Sequence, residues 1–354
     1  MNAVLGLIIA IIAISLIFDF FNGFHDAANS VATVVTTRVL SPIQAVAWAA
    51  FFNFVAAFVF GTGVAKTISE KLIDPHAVDI YVILGGVMGA IIWDIITWLA
   101  ALPTSSSHAL ISGFAGAAIA KAGFNVILIK GWIPVIAFLV LSPLIGLILG
   151  WVIMTGVSWL TYRVERHKAE SAFSKLQLIS AAAYSLGHGT NDAQKTMGII
   201  VALLAAGGKK DWAAGGSTLL GHKFEIALWI VLACHAAMAL GTFFGGWRIV
   251  KTVGSRITPH LRPIGGFSAE CAAATTIGLA TFAHVPISTT HAIGGSVAGV
   301  GATRGMHSVR WQWGNRIVWA WVLTFPGAAI IGAIFYWLVS FTLGHLIPAP
   351  AVQA

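Results

Sequence analysis

The chain has 354 residues, of which 58% are hydrophobic and only 9% charged. A soluble domain carries about 25% charged residues, so this composition excludes a soluble protein and points to an all-α polytopic membrane protein with the lipid bilayer as its surroundings. The formal charge of +8 suggests nucleic acid at first sight. At a mean hydropathy of +0.89 the better reading is basic loops that set membrane orientation, with no nucleic-acid partner.

Taken in order, apolar runs at 3–24, 42–65, 78–102, 132–162, 176–206, 223–246, 264–284 and 313–345 predict the membrane spans. The first lacks the basic start of a signal peptide. The runs 132–162 and 313–345 are long enough for two short passes or one tilted helix, with Pro143 and Pro326 as candidate breaks. Shorter segments at 26–38, 104–121 and 287–303 are rich in Gly, Ala, Ser and Thr and read as re-entrant or half-helices. Residues 163–175 form a basic linker between an N-terminal unit, 1–162, and a C-terminal unit, 176–354. Cys234 and Cys271 lie in apolar runs and suggest neither a disulfide framework nor a metal site.

Two polar stretches interrupt this apolar background. One is Asn22-Gly23-Phe24-His25-Asp26-Ala27-Ala28-Asn29-Ser30; the other is His188-Gly189-Thr190-Asn191-Asp192-Ala193-Gln194-Lys195-Thr196. Carboxylates and amides at membrane depth are costly and are kept where they face a cavity or an ion. Each Gly offers freedom to interrupt a helix. The expectation is a pair of broken helices around a buried site.

Three landmarks recur in the same order in the two units. Asp26 maps to Asp192, Gly61-x4-Lys66-Thr67 to Gly246-x4-Lys251-Thr252, and Pro103-Thr104-Ser105-Ser106-Ser107-His108 to Pro286-Ile287-Ser288-Thr289-Thr290-His291. Two units with matching interrupted helices mark a secondary transporter with its site at the repeat interface. The loop 247–262 has Arg248, Lys251, Arg256 and Arg262 without an acid and reads as cytoplasmic, like the linker. Residues 66–76 are charge-balanced and read as external. The two units are then inverted repeats, with both termini outside.

Ser105, Ser106 and Ser107, and likewise Ser288, Thr289 and Thr290, follow a Pro and read as helix starts. A helix start with free N–H groups and added hydroxyls is an anion site, and two of them could face each other across a tetrahedral oxyanion. Simple capping is the bland alternative. Asp26 and Asp192 would repel such an anion unless a proton or a hard cation lay between them. They are therefore assigned to coupling, with H⁺ or Na⁺ as the coupling ion and no other cofactor. Asp26, Asn29 and Asp192 are the candidate Na⁺ ligands. Gln194 and Lys195 complete the candidate substrate set. His188 and His25 could relay protons. Glu270, alone in an apolar run, is either a further coupling group or paired across the bundle. His108 and His291 are read as holding the turn through a backbone carbonyl. Asp94 is open between function and structure, and Asp19 is read as structural, near a helix end.

On these motifs, together with Gly265-Gly266-Phe267-Ser268-Ala269-Glu270, nearly the whole chain resembles the inorganic phosphate transporter (PiT) family. The resemblance implies symport of inorganic phosphate with Na⁺ or H⁺ through inverted repeats of about 10–12 membrane segments. It places binding near Asp26, Asn29, Asp192 and the hydroxyl clusters, and allows a neutral metal–phosphate complex as cargo. The compact linker resembles bacterial members, which implies a multi-pass protein of the inner membrane. A homo-oligomer stays open. Asn53 stands where eukaryotic relatives have an acid, and His25 and Lys195 depart from the Asn-rich pattern of sodium-coupled members. Two alternatives remain at this stage. A sulfate permease of the same fold is disfavoured because sulfate cannot donate a hydrogen bond to Asp26 or Asp192. An intramembrane serine hydrolase needs a Ser on a G-x-S-x-G elbow, which the sequence lacks.

Overall fold

The computed structural model describes residues 3–59, 61–219, 222–245 and 261–348, with 249 and 258. Gly246, Lys251 and Thr252 of the second-unit landmark, and Arg248 and Arg256 of the basic loop, fall outside the described residues. Arg262 falls inside and bonds Glu170 of the linker 163–175.

The first unit contains α1 (Ala3–Thr36), α2 (Pro42–Val55), α3 (Gly63–Glu70), α4 (Ile80–Leu99), α5 (Ser106–Ala122) and α6 (Ile129–Leu160). The second contains α7 (Arg166–Ala206), α8 (Lys210–Ala213), α9 (Leu228–Phe244), α10 (Pro263–Phe282), α11 (Thr289–Ala302) and α12 (Trp311–Leu343). The described strands are β1 (Thr218–Leu219) and β2 (His222–Lys223), a short antiparallel pair between α8 and α9. Among the described residues, α1, α4, α6 and α12 are long and apolar enough to cross a bilayer on their own. A helical run 42–58 and α3 meet at 79° and count as one further bent span. On α6 and α12, Ile133, Ile136, Val140, Trp319, Val322 and Ile330 are exposed, an apolar outer face suited to lipid.

The breaks are not where the glycines suggested. Helices α1 and α7 run without interruption through both Asp motifs. Gly23 and Gly189 serve close packing instead. A Cβ on Gly23 would sit 2.1 Å from the Met238 carbonyl oxygen on α9, and one on Gly189 would sit 2.7 Å from the Asn53 carbonyl oxygen on α2. Small residues let helices of a membrane bundle approach to backbone contact. Pro143 and Pro326 likewise lie inside single helices, so neither long run divides into two passes.

The true interruptions precede α5 and α11. Helices α4 and α10 each end in a left-handed residue, Ala101 at φ 54° and His284 at φ 58°. Leu102 N–H returns to Thr97 O and Val285 N–H to Ala280 O, both at 2.9 Å, which is the 6→1 bond of a Schellman stop. The chain then extends through Pro103 or Pro286 and restarts as a helix. Ser105 Oγ accepts from His108 N–H and Ser288 Oγ from His291 N–H, both at 3.2 Å. Two helix starts are thereby set inside the protein. Packing crosses between the units: α5 lies against α12 and α11 against α6, while α1 packs on α9 and α2 on α7.

Candidate functional site

Helix α1 buries a polar stripe, Ser15, Asp19, Asn22, Asp26, Asn29 and Thr33, at alternating spacings of four and three. Helix α7 buries Gln177, Ser180, Tyr184, His188, Asp192 and Lys195. Residues three and four apart share one helix face. The two stripes meet where α1 packs on α7. No lipid-facing surface carries these groups: Asp26, Asp192, His188 and Lys195 are each at most 2% exposed.

At the centre, Asp26, His188 and Asp192 each bring a ligand atom to within 4.8 Å of the others. Into this centre point the starts of α5 and α11. Thr289 Oγ1 donates to Asp192 Oδ2 at 3.0 Å, and Ser107 Oγ to Asp192 Oδ1 at 3.3 Å. Thr290 Oγ1 lies 3.4 Å from Asp26 Oδ2 and 3.1 Å from Thr104 O, and accepts from Asn29 Nδ2 at 2.8 Å. The Ser105 and Ser288 caps take the third N–H of each helix, not those of the first two residues. Hydroxyls and helix starts from both units therefore converge on the two carboxylates, an arrangement that supplies hydrogen-bond donors and positive dipole ends to an anion.

The two carboxylates have different company. His25 Nδ1 lies 2.8 Å from Asp26 Oδ1, and His25 Nε2 is 3.2 Å from Thr97 Oγ1. Asp192 instead holds the Lys195 ammonium at 2.5 Å. Lys195 also donates to Ser107 Oγ at 2.5 Å and to Ile287 O at 2.7 Å, so its three donors are all used. Lys195 thus points inward. His188 Nε2 is 3.2 Å from Asp192 Oδ2, and its Nδ1 is 3.3 Å from Asn53 Oδ1. Asn53 in turn donates to Thr242 Oγ1 at 2.9 Å, fixing the imidazole between α2 and α7.

Several expected site residues lie elsewhere. Gln194 is turned away from the centre: its Oε1 accepts from Val64 N–H at 2.9 Å and its Nε2 donates to Gly61 O at 2.7 Å. It caps the start of α3 and does not face the aspartates, which corrects its assignment to the substrate. Ser105 and Ser288 are caps, as the bland reading had it. Ser106 Oγ is buried without a hydrogen bond and faces Asp94, so it does not reach the carboxylate pair. Asn29 turns its amide nitrogen to Thr290, which spends that side of the amide on a hydroxyl. His291 Nδ1 donates to Leu139 O on α6 at 3.3 Å, which ties α11 to α6 rather than holding the turn, and His108 packs edge-on against His291 at 5.0 Å and makes no such bond.

Glu270 is held across the bundle. Thr33 Oγ1 donates to it at 2.6 Å, Gln177 Nε2 at 3.0 Å and Ser180 Oγ at 2.5 Å. Thr33 lies two turns after Asp26 on the same stripe. Two turns before Asp26, Asp19 is fully buried rather than near a helix end. The spacing 19, 22, 26, 29, 33 was the signal that could have placed Asp19, Asn22 and Thr33 on the inner face.

Residues 22–332 match the phosphate transporter family. A probable low-affinity inorganic phosphate transporter of Rhizobium meliloti (strain 1021) is 50% identical over 330 residues, 93% of this chain and 96% of that one. Its counterpart in Bacillus subtilis (strain 168) is 44% identical over 343 residues, 96% of this chain and 99% of that one. Among solved structures, one described as the sodium-dependent phosphate transporter shares the fold with a TM-score of 0.83. It is 24% identical and covers 96% of this chain and 100% of its own.

Proposed function

We propose that this chain, which belongs to the phosphate transporter family, imports inorganic phosphate by cation-coupled symport across a bacterial inner membrane. It is a multi-pass membrane transporter rather than an enzyme. The reading rests on one observation: hydroxyls of Ser107, Thr289 and Thr290, at two buried helix starts, converge on Asp26 and Asp192 from two further helices. Phosphate takes the place of hydroxyl–carboxylate bonds, accepting from these hydroxyls and from the free N–H groups of the first turns. Lys195 adds a point charge. Asp26 and Asp192 accept from a phosphate O–H or neutralise through a proton. Glu270 is a coupling group at the far end of the stripe. The matched Schellman stops and the paired contacts α5–α12 and α6–α11 support the assignment of 1–162 and 176–354 as inverted repeats.

Protons are the coupling ion in this reading. Lys195 already occupies Asp192, so one of the expected Na⁺ ligands has a positive charge in its place. Labelled phosphate uptake in proteoliposomes, with Na⁺ and H⁺ gradients imposed separately, tests this. Uptake that stops when the sodium gradient is collapsed under a maintained proton gradient would sink the proton reading. Failure to concentrate phosphate under either gradient would sink symport altogether.

A second reading of the cargo, a neutral metal–phosphate complex, draws on the Asp26–His188–Asp192 cluster. Two carboxylates and an imidazole suit a divalent cation. Uptake by chelator-treated vesicles that is unchanged when divalent cation is restored would remove it.

A further inference from the structure

We propose that Asp19 is a proton-binding station separate from the Asp26–Asp192 centre, loading and releasing the coupling proton two helical turns along α1. This rests on the proton-coupled reading given above. Asp19 has no exposed surface, and neither carboxylate oxygen has a hydrogen-bond partner. The groups facing it are Asn22 on its own helix, Thr196 on α7 and Cys234 on α9. Asn22 Oδ1 and Thr196 Oγ1 are themselves buried without partners. Orphaned oxygens gathered in one place mark a site that something must complete.

The charges around it select a proton. Asp192 and Lys195 on α7 both act on Asp19. Lys195 cannot satisfy it, because its three donors go to Asp192, Ser107 and Ile287. Asp94 on α4 acts on His25 and Asp26 instead. His235 on α9 spends Nδ1 on Val231 O. An ionised Asp19 would therefore be a buried carboxylate faced only by neutral groups, with no positive charge of its own, which is a costly state. A metal cation is the poorer occupant: a thiol is a soft ligand, and the nearby ammonium repels a second positive charge. One proton removes the charge and turns one oxygen into a donor.

The same geometry connects this station to the cargo. With Asp19 neutral, Lys195 belongs to Asp192 alone. When Asp19 ionises, the ammonium is drawn towards a second carboxylate, and its hold on Asp192 and Ser107 weakens. Proton release at Asp19 thereby alters the phosphate site without contact between them.

The experiment uses the full-length protein in proteoliposomes containing a trapped pH dye. Phosphate–phosphate exchange, which needs no net proton movement, is measured beside accumulation driven by a proton gradient. Asp19→Asn mimics the protonated state permanently. It is expected to lower driven accumulation and proton co-movement more than tenfold while exchange persists, with Asp19→Glu restoring both. Infrared spectra of purified protein should show a protonated carboxyl band that Asp19→Asn removes. Asp19→Asn that accumulates phosphate with the wild-type proton ratio would overturn the proposal. So would loss of exchange in both variants, which marks a packing role. A wild type that moves no protons with phosphate overturns the proton reading itself, a failure distinct from that of Asp19.

Discussion

Asp26 and Asp192 occupy matching positions on α1 and α7, and each has an imidazole beside it, His25 and His188, but only Asp192 also has an ammonium. A lysine is a fixed counter-charge, whereas a histidine changes charge near neutral pH. The second unit therefore has a fixed counter-charge beside its carboxylate, and the first does not. Sequence equivalence has been kept for the carboxylates and given up for what balances them. Asp192 with Lys195 is thus the half that carries a fixed positive charge, and Asp26 with His25 the half that does not.

The comparison breaks most sharply at the aspartates. Asp26→Asn and Asp192→Asn are both expected to abolish concentrative phosphate uptake, but for different reasons. Asp192→Asn strands Lys195 as a buried unpaired charge, and losing one partner of such a pair costs about 3–5 kcal/mol. Asp26→Asn strands no fixed charge and should cost about 1 kcal/mol. Thermal unfolding of the two purified variants reads the difference. Equal destabilisation would show that the two halves are not divided as described, and wild-type uptake in both would remove the site from this place.

Next in size is Lys195→Asn, which gives the second unit the neutral side chain that Asn29 provides in the first. The phosphate KM should rise about tenfold, in the range of about 1.5–3 kcal/mol for a charged hydrogen bond, and uptake should gain a response to Na⁺. An unchanged ion requirement takes Lys195 out of coupling. Smaller still, Ser107→Ala and Thr289→Ala should each raise KM about two- to tenfold, corresponding to about 0.5–1.5 kcal/mol per neutral hydrogen bond. Ser106→Ala, whose hydroxyl faces Asp94, should leave KM where it is. If all three shift it alike, helix-start geometry rather than direct donation is responsible. The smallest effect is expected for Gln194→Ala: about 1 kcal/mol of stability through the lost cap of α3, with KM unaltered. A raised KM there would return Gln194 to the substrate.

The sequence made the two Asp motifs and the two hydroxyl clusters legible, because polar groups at membrane depth stand out from an apolar background. It also made their pairing legible, through the shared order Asp, then Pro with hydroxyls and His. What Gly23 and Gly189 do was not legible. A missing side chain serves a bend or a close neighbour equally well, and only the positions of Met238 and Asn53 decide for the neighbour. Gln194 was a different kind of miss. Two residues from Asp192 on a helix is about 200° around the axis, so the far face was available from spacing alone. The Asp19 stripe was hidden by the assumption of a break at Gly23; with α1 read as continuous, 19, 22 and 26 fall on one face. The left-handed Ala101 could not be foreseen, since alanine has no preference for that conformation.

The crossed clasp of α5 by α12 and α11 by α6 has a consequence for how the protein comes into being. During synthesis α5 emerges early, while α12 is the last of the described helices to leave the ribosome. Until then α5 has α4 beside it but lacks the helix that covers its other face, and the cross-unit clasp cannot close. Contacts so distant along the chain make for slow completion. The membrane must shelter a half-built transporter whose early helices wait for its last.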